Sequence, residues 1–171
     1  METLIDVIIP LYNSEKYISN LLTNLENQTL KNFRAIFVDD GSKDHTLEEL
    51  EKQLPMVSFA YKVLQQENQG AASARNYGLR ESDAGWTVFV DSDDSLLPQY
   101  LEYLYTSVIE AKADCGICRF EMVPESTNGS DRNIGEKNAK VLSASECMAL
   151  HYSEWIAPVC MIISKKLFDK Q

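Results

Sequence analysis

The chain has 171 residues, with 26 Asp and Glu against 16 Lys and Arg and a formal net charge of −10. Hydrophobic residues make up 44%, and Gly and Pro number only seven and five, which excludes a disordered tail, a collagen-like repeat and a small disulfide scaffold. The acidic balance argues against nucleic acid as a partner, because a phosphate backbone needs clustered Lys and Arg, and against docking of this segment on an anionic membrane.

Residues 5–10 are apolar and β-branched apart from Asp6 and Pro10, which predicts a strand buried in a parallel sheet. Ile18, Leu21, Leu22 and Leu25 follow at spacings of three and four, an amphipathic helix with Ser14 as its N-cap. Residues 33–38 read as a second strand ending in Asp39-Asp40-Gly41-Ser42. Residues 44–54 read as a second helix, with Thr46 and Glu49 as a capping box and Pro55 as a stop. A third strand is predicted over 57–64. A turn around Asn68 to Gly70 then enters a small-residue helix over 71–80, able to pack close to its sheet.

Residues 86–90 form the fourth predicted strand and run straight into Asp91-Ser92-Asp93-Asp94. Pro98 suits the first position of a helix reaching about Ala113, and 115–123 reads as a fifth strand. Residues 124–140 are rich in polar and turn-forming types and are predicted to be a mobile surface loop. A helix capped by Ser143 or Ser145 and ending near Tyr152, a last strand over 159–164 and the start of a helix at Lys165 complete the pass.

Four cysteines (Cys115, Cys118, Cys147 and Cys160) are few for this length and suit a reducing compartment. Cys115 and Cys118 are spaced as a C-x-x-C but read as core residues, since no second pair follows and only His45 and His151 could join them. No apolar run approaches the roughly 20 residues of a spanning helix, and the first residues lack the pattern of a signal peptide. The expected location is cytoplasmic, with any peripheral contact at the inner membrane face made by parts outside this chain. The two N-glycosylation sequons, at Asn27 and Asn128, then carry no meaning.

Strands alternating with helices predict an α/β fold with a mostly parallel sheet and helices on both faces. Right-handed crossovers place the strand C-termini on one edge, where such sheets bind ligands. That edge collects residues 10–13, Asp39, Asp40 and residues 91–94. Five carboxylates there repel one another unless a cation or donors offset them. Oxygen donors without His or Cys suit Mg²⁺ or Mn²⁺, which commonly binds one or two carboxylates plus substrate phosphates. A nucleoside diphosphate or similar pyrophosphate is therefore the expected ligand. Neither a P-loop nor a G-x-G-x-x-G turn is present.

Val7-Ile-Ile-Pro-Leu-Tyr-Asn13, Val38-Asp-Asp-Gly-Ser42, the stretch from Asn68 to Gly78 and Phe89-Val-Asp-Ser-Asp-Asp94 occur here in one order. Together they resemble the motifs of family 2 glycosyltransferases. The resemblance implies the GT-A fold, a Rossmann-like doubly wound sheet, with a nucleotide-sugar donor, a divalent metal and inversion at the anomeric carbon. It implies that Asp40 accepts from the uracil imide N–H, that Pro10 and Tyr12 line the base pocket, and that Arg75 reaches the nucleotide. Asn13, Asn68, Gly70 and Ser92 join this donor-binding set. Asp91 would face the ribose, and Asp93, ahead of Asp94, would hold Mn²⁺ or Mg²⁺.

The same resemblance implies a carboxylate general base downstream of residues 157–168, often in a Glu-Asp pair. No such pair lies between Lys140 and Gln171, and Glu146, Glu154 beside Trp155, and Asp169 do not stand in its context. The sequence thus predicts one GT-A domain over 1–171 whose C-terminal end is truncated before its base. Residues 1–123 would be the nucleotide-sugar-binding half, 124–140 the mobile loop and 141–171 the start of the acceptor half. The partners implied are the donor and a glycan or lipid-linked acceptor in surface polysaccharide or glycoconjugate assembly, with no membrane insertion and with homo-oligomerisation left open. Two other readings are a nucleotide-sugar-binding module without catalysis and a sugar nucleotidyltransferase. The latter wants a Gly-rich basic N-terminal loop, which residues 10–13 do not supply.

Overall fold

A computed structural model describes residues 3–118 and 161–168. The predicted loop over 124–140, the helix ending near Tyr152, Cys147, Cys160 and the acids Glu146, Glu154 and Asp169 lie outside the described residues.

Among the described residues six strands form one sheet: β1 (Ile5–Leu11), β2 (Phe33–Asp39), β3 (Ala60–Gln65), β4 (Trp86–Phe89), β5 (Cys115–Ile117) and β6 (Met161–Ser164), in the order β3-β2-β1-β4-β6-β5. The first four are mutually parallel, and β6 runs antiparallel to both β4 and β5. Among the described residues four α-helices are interleaved: α1 (Ile18–Glu26), α2 (Thr46–Gln53), α3 (Ala71–Arg80) and α4 (Tyr100–Ala111). The α/β class with a mostly parallel sheet is as the sequence predicts, and α3 has the expected bounds.

Every residue of β1 is buried, because layers cover both sheet faces. Val7, Ile9, Leu11 and Phe37 pack in one cluster with Ile18, Leu21 and Leu25 of α1, Leu50 of α2 and Leu101 and Leu104 of α4. Ile8, Ile36 and Val38 point the other way and pack with Ala74 and Tyr77 of α3. Alternate strand residues thus feed opposite layers, the doubly wound arrangement. Burying each Leu or Ile of the α1 stripe contributes roughly 1.5–3 kcal/mol, and their three-and-four spacing is what selects helix here.

α3 packs closest to the sheet, and Gly78 is the reason. A Cβ at Gly78 would lie 2.5 Å from Ile8 Cγ2 and 3.2 Å from Val38 Cγ2. Both neighbours are buried β-branched side chains with little freedom to turn. Gly78→Ala is expected to destabilise the protein by about 1–3 kcal/mol through overpacking, despite the better helix propensity of Ala. A urea midpoint equal to or above that of the unaltered chain would contradict this.

Several helix starts differ from the sequence expectations. Ser14 makes no side-chain cap; residues Glu15–Tyr17 form a 3₁₀ turn before α1, and the Ser14 hydroxyl turns elsewhere. The capping box of Thr46 and Glu49 does not form, because Asp44 accepts the Thr46 N–H at 3.0 Å while Glu49 pairs with Lys52 and Gln53. Pro55 lies within a 3₁₀ turn, Leu54–Met56, that extends α2. Pro98 lies outside α4: its carbonyl accepts the Thr29 N–H at 2.8 Å, and the Gln28 side chain accepts the Leu101 N–H at 3.1 Å. The start of α4 is set by the loop after α1, not by proline.

Candidate functional site

The strand order reverses between β1, whose successor β2 lies to one side, and β4 on the other. Parallel strands open a crevice beyond their C-terminal ends at such a point. A cleft of about 500 Å³ occupies it here. Its walls come from the segments after β1, β2 and β4 and from the start of α3.

Pro10, Tyr12, Asn13 and Asp40 line this cleft, as do Asn68, Gly70 and Arg75 and then Asp91, Ser92 and Asp93. These side chains span more than eighty residues of sequence, and the sheet brings them to one place. Tyr12 is 46% exposed, so its ring face is open to a planar ligand. Asp94 does not line the cleft, and neither does Asp39.

Asp40 leaves β2 with its N–H donated to Leu11 O at 2.8 Å, and its side chain is buried. Its Oδ1 accepts from Gln66 Nε2 at 2.7 Å and from the Gln69 N–H at 2.9 Å, while Oδ2 accepts from the Gly70 N–H at 2.8 Å. Burial alone would raise the Asp40 pKa; these three donors outweigh it and hold the carboxylate below its ordinary value. Asp40 thus anchors the loop before α3 and keeps one Oδ2 lone pair for a further donor. Gly41 permits the arrangement: its φ is +70°, and a Cβ there would sit 3.0 Å from the Asn68 nitrogen.

The aspartate run after β4 closes into a tight turn. The Asp91 N–H donates to Asp94 Oδ2 at 3.1 Å, and the Asp94 N–H donates to the Asp91 carbonyl at 3.1 Å. Burial, then the neighbouring charges of Asp91 and Asp93, push the Asp94 pKa above its ordinary value. Asp91 pairs with Arg75 at 2.5 Å, and Arg75 Nε is buried without a hydrogen-bond partner among the described residues. Asp93 is exposed and makes no hydrogen bond or ion pair among the described residues.

The five-carboxylate cluster expected from the sequence therefore divides. Asp39 turns to the Ser42 N–H, Asp40 anchors a loop and Asp94 closes its own turn, so Asp94 is the weaker ligand candidate. Among the described residues no three His, Cys, Asp or Glu side chains form a ready metal cage. One free carboxylate, Asp93, beside an all-oxygen turn still fits Mg²⁺ or Mn²⁺, which completes its shell with water and phosphate oxygens. The Arg75 guanidinium, 21% exposed and lining the same cleft, suits an anion there.

Asn13 and Ser92 also have structural partners. Asn13 adopts a left-handed φ of +50°, and its side chain accepts the Lys43 N–H at 2.9 Å. Ser92 Oγ lies 2.9 Å from Ser14 Oγ, so the turn after β4 is tied to the segment after β1. Sequence reasoning missed Gln66 and Gln69, the partners of Asp40. It also missed the buried pair at the opposite end of β1, where Asp6 meets Arg34 at 2.8 Å. A lone charge inside an apolar strand was the available signal for the latter.

The Glycosyl transferase family 2 model matches residues 6–170. Glycosyltransferase GlyG of Streptococcus pneumoniae serotype 4 is 32% identical over an alignment covering 99% of this chain and 60% of GlyG. Glycosyltransferase GlyA of the same organism is 36% identical over 71% of this chain and 17% of its own length. Among solved structures, Staphylococcus aureus TarS 1-349 in complex with UDP-GlcNAc superposes with a TM-score of 0.75 at 28% identity, covering 98% of this chain and 47% of that one. The TarS complex with UDP gives 0.61 at 34% identity over 72% and 38%. The fold is that of GT-A glycosyltransferases. The chain spans less than two thirds of each of these relatives.

Proposed function

The chain belongs to glycosyltransferase family 2, and on that premise we propose that its cleft holds the nucleotide-sugar donor for an inverting transfer to an acceptor hydroxyl. The observation that carries the reading is the convergence of Asp40, Arg75, Asp91 and Asp93 on one cleft at the switch point. UDP and UDP-GlcNAc bound to TarS support uracil as the base. Its name, poly(ribitol-phosphate) beta-N-acetylglucosaminyltransferase, supports a polymer as the class of acceptor.

The base lies against Pro10 and Tyr12, with the imide N–H donated to the remaining Oδ2 lone pair of Asp40. Asn68 and Gly70 border it through the loop that Asp40 anchors. Asp91, oriented by Arg75, faces the ribose, and the accessible part of the Arg75 guanidinium donates to a phosphate oxygen. Asp93 would hold Mn²⁺ or Mg²⁺, which would supply neutralisation of the charge that develops on the leaving diphosphate. The acceptor oxygen bonds to the anomeric carbon from the opposite face as the bond to phosphate oxygen breaks. Its proton passes to a carboxylate base other than Asp40, Asp91 and Asp93, which serve the donor side. Residues 1–123 form the donor half of this scheme and 141–171 contribute to the acceptor half.

Calorimetric titration with UDP tests the reading. Affinity with Mn²⁺ is expected to exceed that with chelator by at least about tenfold, equivalent to ~1.4 kcal/mol. Equal affinities in the two would overturn the role of the metal, and no heat with UDP, GDP or dTDP would overturn the donor site itself.

A further inference from the structure

Two loops that contribute no carboxylate to the cleft's metal side are joined to it by a chain of hydrogen bonds. At the start of α2, Thr46 Oγ1 donates to Asp44 Oδ1 at 2.5 Å, and the Thr46 N–H donates to the same oxygen at 3.0 Å. With its proton committed to Asp44, the Thr46 hydroxyl accepts the Ser14 N–H at 2.6 Å. Asp44 Oδ2 also accepts the Glu15 N–H at 3.2 Å. Ser14 Oγ then meets Ser92 Oγ at 2.9 Å, inside the aspartate turn. Thr46 and Ser14 are 0% and 3% exposed, so water does not compete for the bond between the Ser14 N–H and the Thr46 hydroxyl.

We infer that Thr46, fixed by Asp44, is a positioning residue that sets the aspartate turn after β4 through Ser14 and Ser92. Thr46 lies outside the cleft, and no ligand contact is assigned to it. Its effect runs through bond geometry: the Asp44 carboxylate orients the Thr46 lone pair, which orients the Ser14 backbone and hence its hydroxyl. Ser92 sits between Asp91 and Asp93, so its position decides where the free Asp93 carboxylate points. The metal-binding consequence rests on the function proposed above; the positioning itself does not.

The test separates the two. Thr46→Val keeps the shape of the side chain but loses the hydroxyl that orients Ser14. Hydrogen exchange without ligand should then quicken about tenfold at the Asp91 and Asp94 amides, the order expected for losing a buried hydrogen bond, while the β1 and β2 amides keep their rates. Thr46→Ser should restore slow exchange. Ser14→Ala and Ser92→Ala should each quicken the same amides, and the double variant should do no more than either, the signature of one shared interaction. Unchanged exchange at Asp91 and Asp94 in Thr46→Val, or an equal rise throughout β1 and β2, would overturn the inference. In titration with UDP and Mn²⁺, Thr46→Val should bind more weakly with Thr46→Ser close to the unaltered chain. Failure of the unaltered chain to bind UDP would strike the proposed function, with exchange still deciding the positioning role.

Discussion

Asp93→Asn is expected to abolish Mn²⁺-dependent binding of UDP while leaving the fold intact. The Asp93 carboxylate is exposed and carries no hydrogen bond or ion pair among the described residues. Its replacement therefore breaks no internal contact, and stability should move by no more than about 0.5 kcal/mol. What is lost is the one cleft carboxylate that, among the described residues, is not already committed. A neutral amide oxygen is a far poorer ligand for a hard dication than an ionised one, so the Mn²⁺ advantage in UDP affinity should vanish in titration.

Asp94→Asn provides the contrast. An Asn oxygen can still accept the Asp91 N–H, and removing the charge relieves the burial and repulsion that raise the Asp94 pKa. That variant should retain metal-dependent binding and melt no lower than the unaltered chain. An unchanged isotherm for Asp93→Asn with loss for Asp94→Asn would transfer the ligand role to Asp94.

Asp6→Asn should be the most destabilising of these substitutions, by about 3 kcal/mol. The Asp6 side chain is 0% exposed and accepts two bonds from Arg34, at 2.8 and 2.9 Å. It accepts three more, from the Ser82 hydroxyl at 2.8 Å and from the Asp83 and Ala84 N–H groups at 3.0 Å each. All five partners donate, and an amide NH₂ turned toward any of them places donor against donor. The Arg34 side chain is 21% exposed and also pairs with exposed Asp83, so the freed cation is partly solvated and the cost stays near the lower end for a broken buried pair. Urea unfolding should show a lower midpoint at unchanged slope. Because Asp6 lies at the strand end opposite the cleft, UDP affinity of the folded variant should be unaffected.

The same carboxylate makes a prediction about pH. Burial acts to raise the Asp6 pKa, but Arg34, the Ala84 N–H and Ser82 together hold it below its ordinary value of 3.8. A depressed folded pKa stabilises the protein above the unfolded value and loses that contribution as pH falls through the folded one. The stability difference between the unaltered chain and Asp6→Asn should therefore be constant near neutrality and shrink below about pH 4. A difference that holds to pH 2 would contradict the ion-pair account.

The order of strands and helices was legible because each is a local pattern. A continuous apolar run, a three-and-four stripe and a small-residue segment after Gly70 all express themselves within a dozen residues. The bounds of α3 were recovered outright. Where the reading failed, the deciding partner was remote in sequence. The start of α4 depends on Gln28 and Thr29, some seventy residues earlier. The β3 strand begins at Ala60, not 57, because its pairing with β2 begins opposite Arg34. The placement of β6 between β4 and β5 has no local signature at all.

The candidate site divides in the same way. Composition and charge argued against nucleic acid, and the alternation of elements placed Pro10, Asp40 and the aspartates after β4 on one sheet edge from the sequence alone. Chain direction and handedness are enough for that, since parallel strands must end together. Which of those carboxylates stays free is a different question. Asp40 is occupied by donors 26 to 30 residues away and Arg75 by Asp91 across 16, while Asp93 is left without a partner among the described residues. An acidic residue in sequence is only a possible ligand. Hydrogen-bond donors brought up by the folded loops consume some carboxylates and leave others, and only the tertiary structure decides which.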